Sequence, residues 1–174
     1  MDAMEKEIYL AGGCFWGVQR YLSLLYGVTG TQCGYANGGT ESATYQEVCS
    51  GSGHAETVHV RYDDDILPLT MLLEFFFDVI DPCSLNRQGH DMGVQYRTGI
   101  YYVDAGDLEI IEAYIDSIRN RYAGVIVTEL LPLASFCAAE EMHQDYLAKN
   151  EGGYCHIDAC AMERALQTYP NPGK

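Results

Sequence analysis

Basic residues are scarce in this chain. Its 174 residues include 10 Lys and Arg against 25 Asp and Glu, which gives a formal net charge of −15 at pH 7. A surface with this charge repels phosphate groups, which argues against nucleic acids and anionic membranes as partners. Long apolar runs are absent as well, and none reaches the roughly 20 residues that a membrane-spanning helix needs. We therefore expect neither a nucleic-acid nor a membrane partner.

Features of a signal peptide are missing from residues 1–6, which read MDAMEK. This favours a cytoplasmic protein. Internal repeats, low-complexity segments and interdomain linkers are also missing. A chain of this length with 48% hydrophobic residues can bury a substantial core. We expect a monomer with one domain over residues 1–174.

Cysteine is too sparse for a disulfide scaffold in a chain of this length, and its seven copies are an odd number. Most cysteines of proteins in a reducing compartment are buried packing residues, and a few are reactive. Cys155 and Cys160 follow a glycine pair in the stretch 151–174, which reads as an irregular, mobile tail. They are either two unremarkable thiols or a flexible pair that can reach another cysteine.

The order of predicted elements defines the fold class. The hydrophobic periodicity predicts strands near 6–11, 28–35, 55–62, 96–103 and 125–130, and helices near 14–25, 68–79, 106–122 and 139–149. The first six run βαββαβ, which is the split-βαβ, ferredoxin-like plan. We therefore expect an α+β protein with a mixed sheet and flanking helices.

A cysteine lies where the first strand passes into the first helix, in the sequence Gly12, Gly13, Cys14, Phe15, Trp16, Gly17. The free N–H groups and the dipole of a helix N-terminus favour a negative sulfur there, and the thiolate is the reactive form of cysteine. Trp16 is the only tryptophan and lies off the apolar stripe that Phe15 begins, so it is free to line a pocket. The alternative is a buried structural cysteine beside core aromatics.

One carboxylate of the predicted strand 55–62 lies on the side of the strand that should face the core. Side chains alternate along a strand, and Glu56 shares the face of Val58 and Val60. Its carboxyl should therefore point to the core, lose hydration and gain a raised pKa, so that it can donate a proton at pH 7. The alternative is that position 56 still belongs to the loop and is solvated.

Two of the 14 tyrosines stand where a phenol can point into a cleft. Tyr45 lies in the loop 36–53, which is rich in glycine, serine and threonine. Tyr96 opens a strand after the polar loop 81–95, which contains Asp91. Long polar loops in compact domains tend to be functional.

Together these segments resemble the methionine sulfoxide reductase A family, the peptide-methionine (S)-S-oxide reductases. The likeness runs from about residue 7 to about residue 158, in the family's order, with one residue fewer between the Cys-Ser-Gly and Gly-His-Ala-Glu segments. The matching motifs are Gly13-Cys14-Phe15-Trp16-Gly17, Thr44-Tyr45, Val48-Cys49-Ser50-Gly51, Gly53-His54-Ala55-Glu56, Asn86-Arg87-Gln88-Gly89 with Asp91, Gln95-Tyr96-Arg97, and Gly153-Tyr154-Cys155.

The resemblance implies that Cys14 attacks the sulfur of the S epimer of methionine sulfoxide, free or in proteins. Glu56 would supply the proton to the departing oxygen, helped by Tyr45 and Tyr96. The products would be methionine and a sulfenic acid on Cys14. A sulfoxide oxygen leaves poorly until it is protonated, so a neutral acid beside the nucleophile fits this chemistry.

The resemblance also implies a pocket and a route for recycling. Phe15 and Trp16 would hold the methyl group of the substrate, and Asp91 would fix the substrate end of the pocket. Cys155 would attack the sulfenic acid to form a disulfide, which thioredoxin or another dithiol would reduce. Cys160 either takes over that disulfide or is idle. No metal and no other cofactor is implied.

Two other functions fit some of the same residues. A zinc-binding module could draw on Cys137, His143, Cys155, His156 or Cys160. A thiol hydrolase could use His54 as the base for Cys14.

Overall fold

The computed structural model describes residues 4–170; residues 1–3 and 171–174 of the predicted domain and tail lie outside the described residues. The strands are β1 (Glu5–Gly12), β2 (Val28–Ala36), β3 (Ala55–Asp63), β4 (Arg87–Gln88), β5 (Asp91–Met92), β6 (Thr98–Tyr102), β7 (Glu129–Pro132) and β8 (Phe136–Ala138). The α-helices are α1 (Phe15–Ser23), α2 (Tyr45–Cys49), α3 (Leu69–Asp78), α4 (Ala105–Ile118), α5 (Tyr146–Lys149) and α6 (Ala159–Leu166). Short 3₁₀ turns occupy Val94–Tyr96, Arg119–Arg121 and Glu141–His143.

Six strands form one sheet in the order β7-β6-β1-β3-β2-β8. Its antiparallel centre, β6-β1-β3-β2, is the strand order of the split-βαβ plan. β7 lies parallel to β6 and makes the sheet mixed. The predicted α+β fold with a mixed sheet and flanking helices is confirmed.

The larger core lies on one face of the sheet. Strand residues such as Leu10 and Val58 pack there against the apolar stripes of α1, α3 and α4, represented by Leu22, Leu72 and Ile111. The opposite face carries a smaller cluster of Tyr9, Ala11, Ala36, Ala55 and Tyr101, on which Leu133 and Phe136 pack. Because β1 and β3 are central, the end of β1 and the start of β3 are held rigidly.

The region predicted as one helix over 139–149 is broken. Its pieces are the 3₁₀ turn Glu141–His143 and α5, and Asp145 between them has a left-handed φ of 51°. The Gln144 side chain bonds the backbone N–H and C=O of Cys33 at 2.8 Å each, so tertiary contacts replace the helical hydrogen bonds. The strand predicted near 125–130 also begins later, at Glu129.

Helix α6 lies within the stretch that was predicted to be irregular. Asp158 accepts the N–H of Ala161 and caps the helix, while Ala161 and Ala165 are buried. Arg164 pairs with Asp78 of α3 at 2.9 Å. The segment that follows Cys155 is therefore docked on the domain. Within residues 4–170, every helix is too short or too polar to cross a bilayer.

Candidate active site

Cys14 stands at the N-cap of α1, directly after β1. Gly13 before it has a φ of 89°, which side chains rarely tolerate, and a methyl group there would lie 2.7 Å from Cβ of Gln88. This turn directs the Cys14 side chain toward the start of the helix. The backbone N–H groups of Trp16 and Gly17 lie near its sulfur and act to lower the pKa of the thiol.

The thiol of Cys14 is only 8% exposed. Burial, and next the nearby Glu56 carboxylate, raise its pKa to about 12, although the two backbone N–H donors oppose the shift. The sequence-based expectation of a resting thiolate is therefore wrong. Lost hydration outweighs the helix N-terminus, so Cys14 is a thiol at neutral pH.

Glu56 lies at the start of β3 and is 2% exposed. Its Oε1 accepts the backbone N–H of Phe15 at 3.2 Å. Burial raises the pKa of this carboxyl to about 8, and the Phe15 hydrogen bond offsets part of that effect. The predicted burial of Glu56 is confirmed, and the group is protonated at pH 7.

Two phenols lie near the same groups. Tyr45 is the first residue of α2, and Tyr96 ends the turn Val94–Tyr96. Burial raises the pKa of Tyr45 to about 12 and raises that of Tyr96 further, and the charges of Glu56 and Cys14 act on both. The structure therefore places four predicted site residues near one another, and their raised pKa values keep each of them protonated at neutral pH.

The two aromatic residues after Cys14 differ in exposure and in their contacts. Phe15 is 1% exposed and its ring lies 5.7 Å from that of Tyr35. Trp16 is half-buried, stacks on Tyr146 at 3.8 Å and donates its indole N–H to Nδ1 of His143 at 3.2 Å. Trp16 thus has one face fixed by protein, as the wall of a pocket requires.

Sequence reasoning missed three residues of this site. His143 was considered only as a zinc ligand, yet its ring lies 4.7 Å from that of Tyr45 and bonds Trp16. Tyr146 follows it on α5. Tyr154, in the motif with Cys155, donates its hydroxyl to Oδ2 of Asp91 at 2.8 Å. That motif was the only indication of Tyr154.

The second thiol of the site lies against α1. A methyl group on Gly17 would be 3.1 Å from Sγ of Cys155, and the backbone N–H of Gly17 lies close enough to Cys14 to lower the pKa of its thiol. Both sulfurs therefore lie beside one residue. In its present orientation Cys155 donates to the carbonyl of Ile157 at 3.3 Å. Cys160, in the first turn of α6, is exposed.

The hydrolase and zinc interpretations lack the contacts they need. His54 is buried, with Nε2 bonded to the Thr40 carbonyl at 2.8 Å and Nδ1 to Ser52 Oγ at 2.9 Å, so it holds its loop together instead of serving Cys14. Among residues 4–170, no three His, Cys, Asp or Glu side chains lie close enough to share a metal ion. Cys137, a zinc candidate, instead accepts the N–H of Ala43.

A buried thiol, a protonated carboxyl and a second thiol define a thiol-based oxidoreductase. The family model for peptide methionine sulfoxide reductase matches residues 6–171. The MsrA of Lachnoclostridium phytofermentans is 54% identical over 93% of this chain and 98% of its own length. The chain belongs to the peptide methionine sulfoxide reductase family.

Solved structures agree with this assignment. The reduced form of Mxr1 from Saccharomyces cerevisiae has a TM-score of 0.84 and 34% identity, covering 88% of this chain and 91% of its own. Methionine sulfoxide reductase A of Corynebacterium diphtheriae has a TM-score of 0.83 and 35% identity, covering 87% and 77%. The chain is an oxidoreductase that reduces methionine sulfoxide with electrons from thiols.

Proposed function

We propose that this enzyme reduces the S epimer of methionine sulfoxide, free or in proteins, with Cys14 as the nucleophile and Glu56 as the acid. One observation supports the proposal most directly. A carboxyl with a pKa of about 8 is buried beside a buried thiol, so the acid is protonated at the pH where it is needed.

The first half-reaction moves one oxygen atom. Glu56 protonates the sulfoxide oxygen while the sulfur of Cys14 bonds to the substrate sulfur, and the thiol proton restores the Glu56 carboxyl. The oxygen then passes to Cys14 as a sulfenic acid and methionine leaves, so Cys14 is oxidised by two electrons and the substrate is reduced by two. Tyr45 and Tyr96 remain protonated and donate hydrogen bonds to the oxygen.

The substrate needs an apolar wall for its methyl group and a polar anchor at its other end. Phe15 and Trp16 form the wall, where sulfur–aromatic contacts favour the thioether product. Asp91, held by the Tyr154 hydroxyl, fixes the polar end of the substrate. The Trp16 indole is kept in place by His143.

Recycling begins with Cys155. Its thiol attacks the sulfenic acid, a disulfide with Cys14 forms, and water leaves. Thioredoxin or another dithiol then reduces the disulfide; the relative Mxr1 is known in complex with Trx2. Cys160 is the candidate to accept the disulfide from Cys155. Thiols and Glu56 supply every electron and proton, so we propose that no prosthetic group or metal takes part.

We further propose that one domain over residues 1–174, which carries the recycling cysteines in its last part, works as a monomer in the cytoplasm. All seven cysteines are free, which suits a reducing compartment. A charge of −15 disfavours self-association. Light scattering of the purified protein measures its oligomeric state.

Turnover of each sulfoxide epimer, with and without a thioredoxin system, tests the proposed function. We expect catalytic turnover of the S epimer with thioredoxin, and one or two equivalents of methionine without it. Equal rates for both epimers, or turnover that needs no reductant, would overturn the proposal.

A further inference from the structure

The imidazole of His156 lies across the first turn of α1. Its Nε2 is 3.0 Å from the carbonyl oxygen of Gly12. A methyl group on Gly17 would be 3.3 Å from its Nδ1 and 3.1 Å from Sγ of Cys155. The ring nitrogen and the neighbouring thiol therefore face the same backbone atom, next to Cys14.

The hydrogen bond to Gly12 fixes which nitrogen carries the proton. A carbonyl oxygen only accepts, so Nε2 of His156 donates and Nδ1 presents a lone pair. Nδ1 is buried and has no hydrogen-bond partner among residues 4–170. A buried acceptor left without a donor destabilises the fold, so an unused acceptor needs a functional or structural reason.

The protonation states of His156 and Cys155 suit a proton transfer from the thiol to the imidazole. Burial lowers the pKa of His156, although its Gly12 hydrogen bond and the charge of Asp91 on β5 oppose the shift. The ring is therefore neutral at pH 7 and able to accept. Burial raises the pKa of Cys155, so this thiol is protonated and needs a base before it can attack. Besides Asp91, the titratable groups nearby are the thiols of Cys155 and Cys14 and the phenol of Tyr154, which donates to Asp91.

We propose that His156 is the base that takes the proton from Cys155 when the disulfide forms. Rotation about the Cβ–Sγ bond turns the S–H from the Ile157 carbonyl toward Nδ1. The thiolate then attacks the sulfur of the Cys14 sulfenic acid. An S–S bond forms, the S–O bond breaks, Cys14 is reduced and Cys155 oxidised, and the departing hydroxide and the histidine proton end as water. The proposal rests on Cys155 being the resolving thiol.

The substitution His156→Gln separates this role from a structural one. The Gln side chain keeps an N–H donor for the Gly12 carbonyl but offers no basic nitrogen. Reduced enzyme is mixed with one equivalent of methionine sulfoxide, without other reductant, and quenched with acid and an alkylating reagent. Mass spectrometry then follows the methionine, sulfenic acid and disulfide with time.

We expect methionine to form at the wild-type rate and the disulfide to form about 100-fold more slowly at pH 7. The difference in disulfide rate between wild type and variant should shrink about tenfold per pH unit, because hydroxide replaces the missing base as pH rises. Titration of Glu56 affects both enzymes alike and cancels in the ratio of their rates. An unchanged disulfide rate at pH 7, or a loss that is constant with pH, would overturn the proposal.

Cys155→Ser, measured in parallel, keeps the two proposals distinguishable. If that variant still forms a Cys14 disulfide at the wild-type rate, another thiol resolves, and both the proposed recycling route and the base fail. If the Cys155→Ser variant stops at the sulfenic acid while His156→Gln is normal, only the base fails.

Discussion

Oε1 of Glu56 accepts a hydrogen bond of 3.2 Å from the backbone N–H of Phe15, the residue that follows Cys14. The acid is thereby tied to the same helix turn that presents the nucleophile. A helix N-terminus favours a charged carboxylate, yet burial is the larger influence and keeps the group protonated. The pair therefore rests as an acid beside a thiol, uncharged until substrate arrives.

Replacing Cys14 by Ser should abolish sulfoxide reduction, because a hydroxyl neither attacks the sulfoxide sulfur nor accepts its oxygen reversibly. Methionine release is measured by chromatography with dithiothreitol as reductant. Cys33→Ser is the matched control, since this buried thiol lies on β2 and donates to Gln19 within the core. Residual turnover above about 0.1% of wild type in Cys14→Ser would remove Cys14 from the mechanism.

Replacing Glu56 by Gln should lower kcat by about 10²- to 10⁴-fold, with little change in KM, because the amide fills the same space without a transferable proton. In the wild type, the protonated form is lost as pH rises through about 8, so the rate of methionine formation should fall above that pH. Single-turnover rates from pH 6 to 10 measure this fall in rate. The same fall in Glu56→Gln would mean that another group titrates.

The same substitution should stabilise the fold at alkaline pH. The folded pKa of Glu56, about 8, lies above its ordinary value, so the folded state holds a proton that the unfolded chain releases, and wild-type stability falls as pH rises from about 5 to 8. Relative to wild type, Glu56→Gln should gain about 3–5 kcal/mol between pH 5 and pH 8.5. Urea denaturation at the two pH values measures the change, and a constant difference would contradict it.

Replacing Cys155 by Ser should permit one methionine per enzyme and then stop recycling by thioredoxin. The Cys160→Ser variant should form the Cys14–Cys155 disulfide at the normal rate, because the exposed Cys160 thiol acts only afterwards in the proposed route. Counting methionine per enzyme, with and without thioredoxin, distinguishes these cases. Repeated turnover of Cys155→Ser with thioredoxin would make Cys160 the resolving thiol.

Replacing Gly17 by Ala should slow disulfide formation about 10- to 100-fold, because the new methyl group would stand 3.1 Å from the Cys155 sulfur and displace it. The first methionine should form normally, since the backbone N–H that serves Cys14 remains. Gly106→Ala, in the first turn of α4, is the control and should change neither step. Equal disulfide rates in both variants would contradict this reading of the contact.

Local patterns were enough to predict where the reactive groups lie. The start of α1 at Cys14 follows from flanking glycines and an apolar stripe, and the burial of Glu56 follows from strand parity. The pKa of Cys14 was not predictable, because it depends on how tightly distant elements cover the sulfur. The contact of Trp16 with His143 was also hidden, because it depends on the irregular path around Asp145.

Helix α6 is joined to the catalytic helix through buried alanines, and to α3 through the pair of Arg164 with Asp78. Cys155 lies only a few residues before this anchor and already rests against Gly17 of α1. The proposed recycling thiol is therefore supplied by folded structure and does not have to be found by a free chain end.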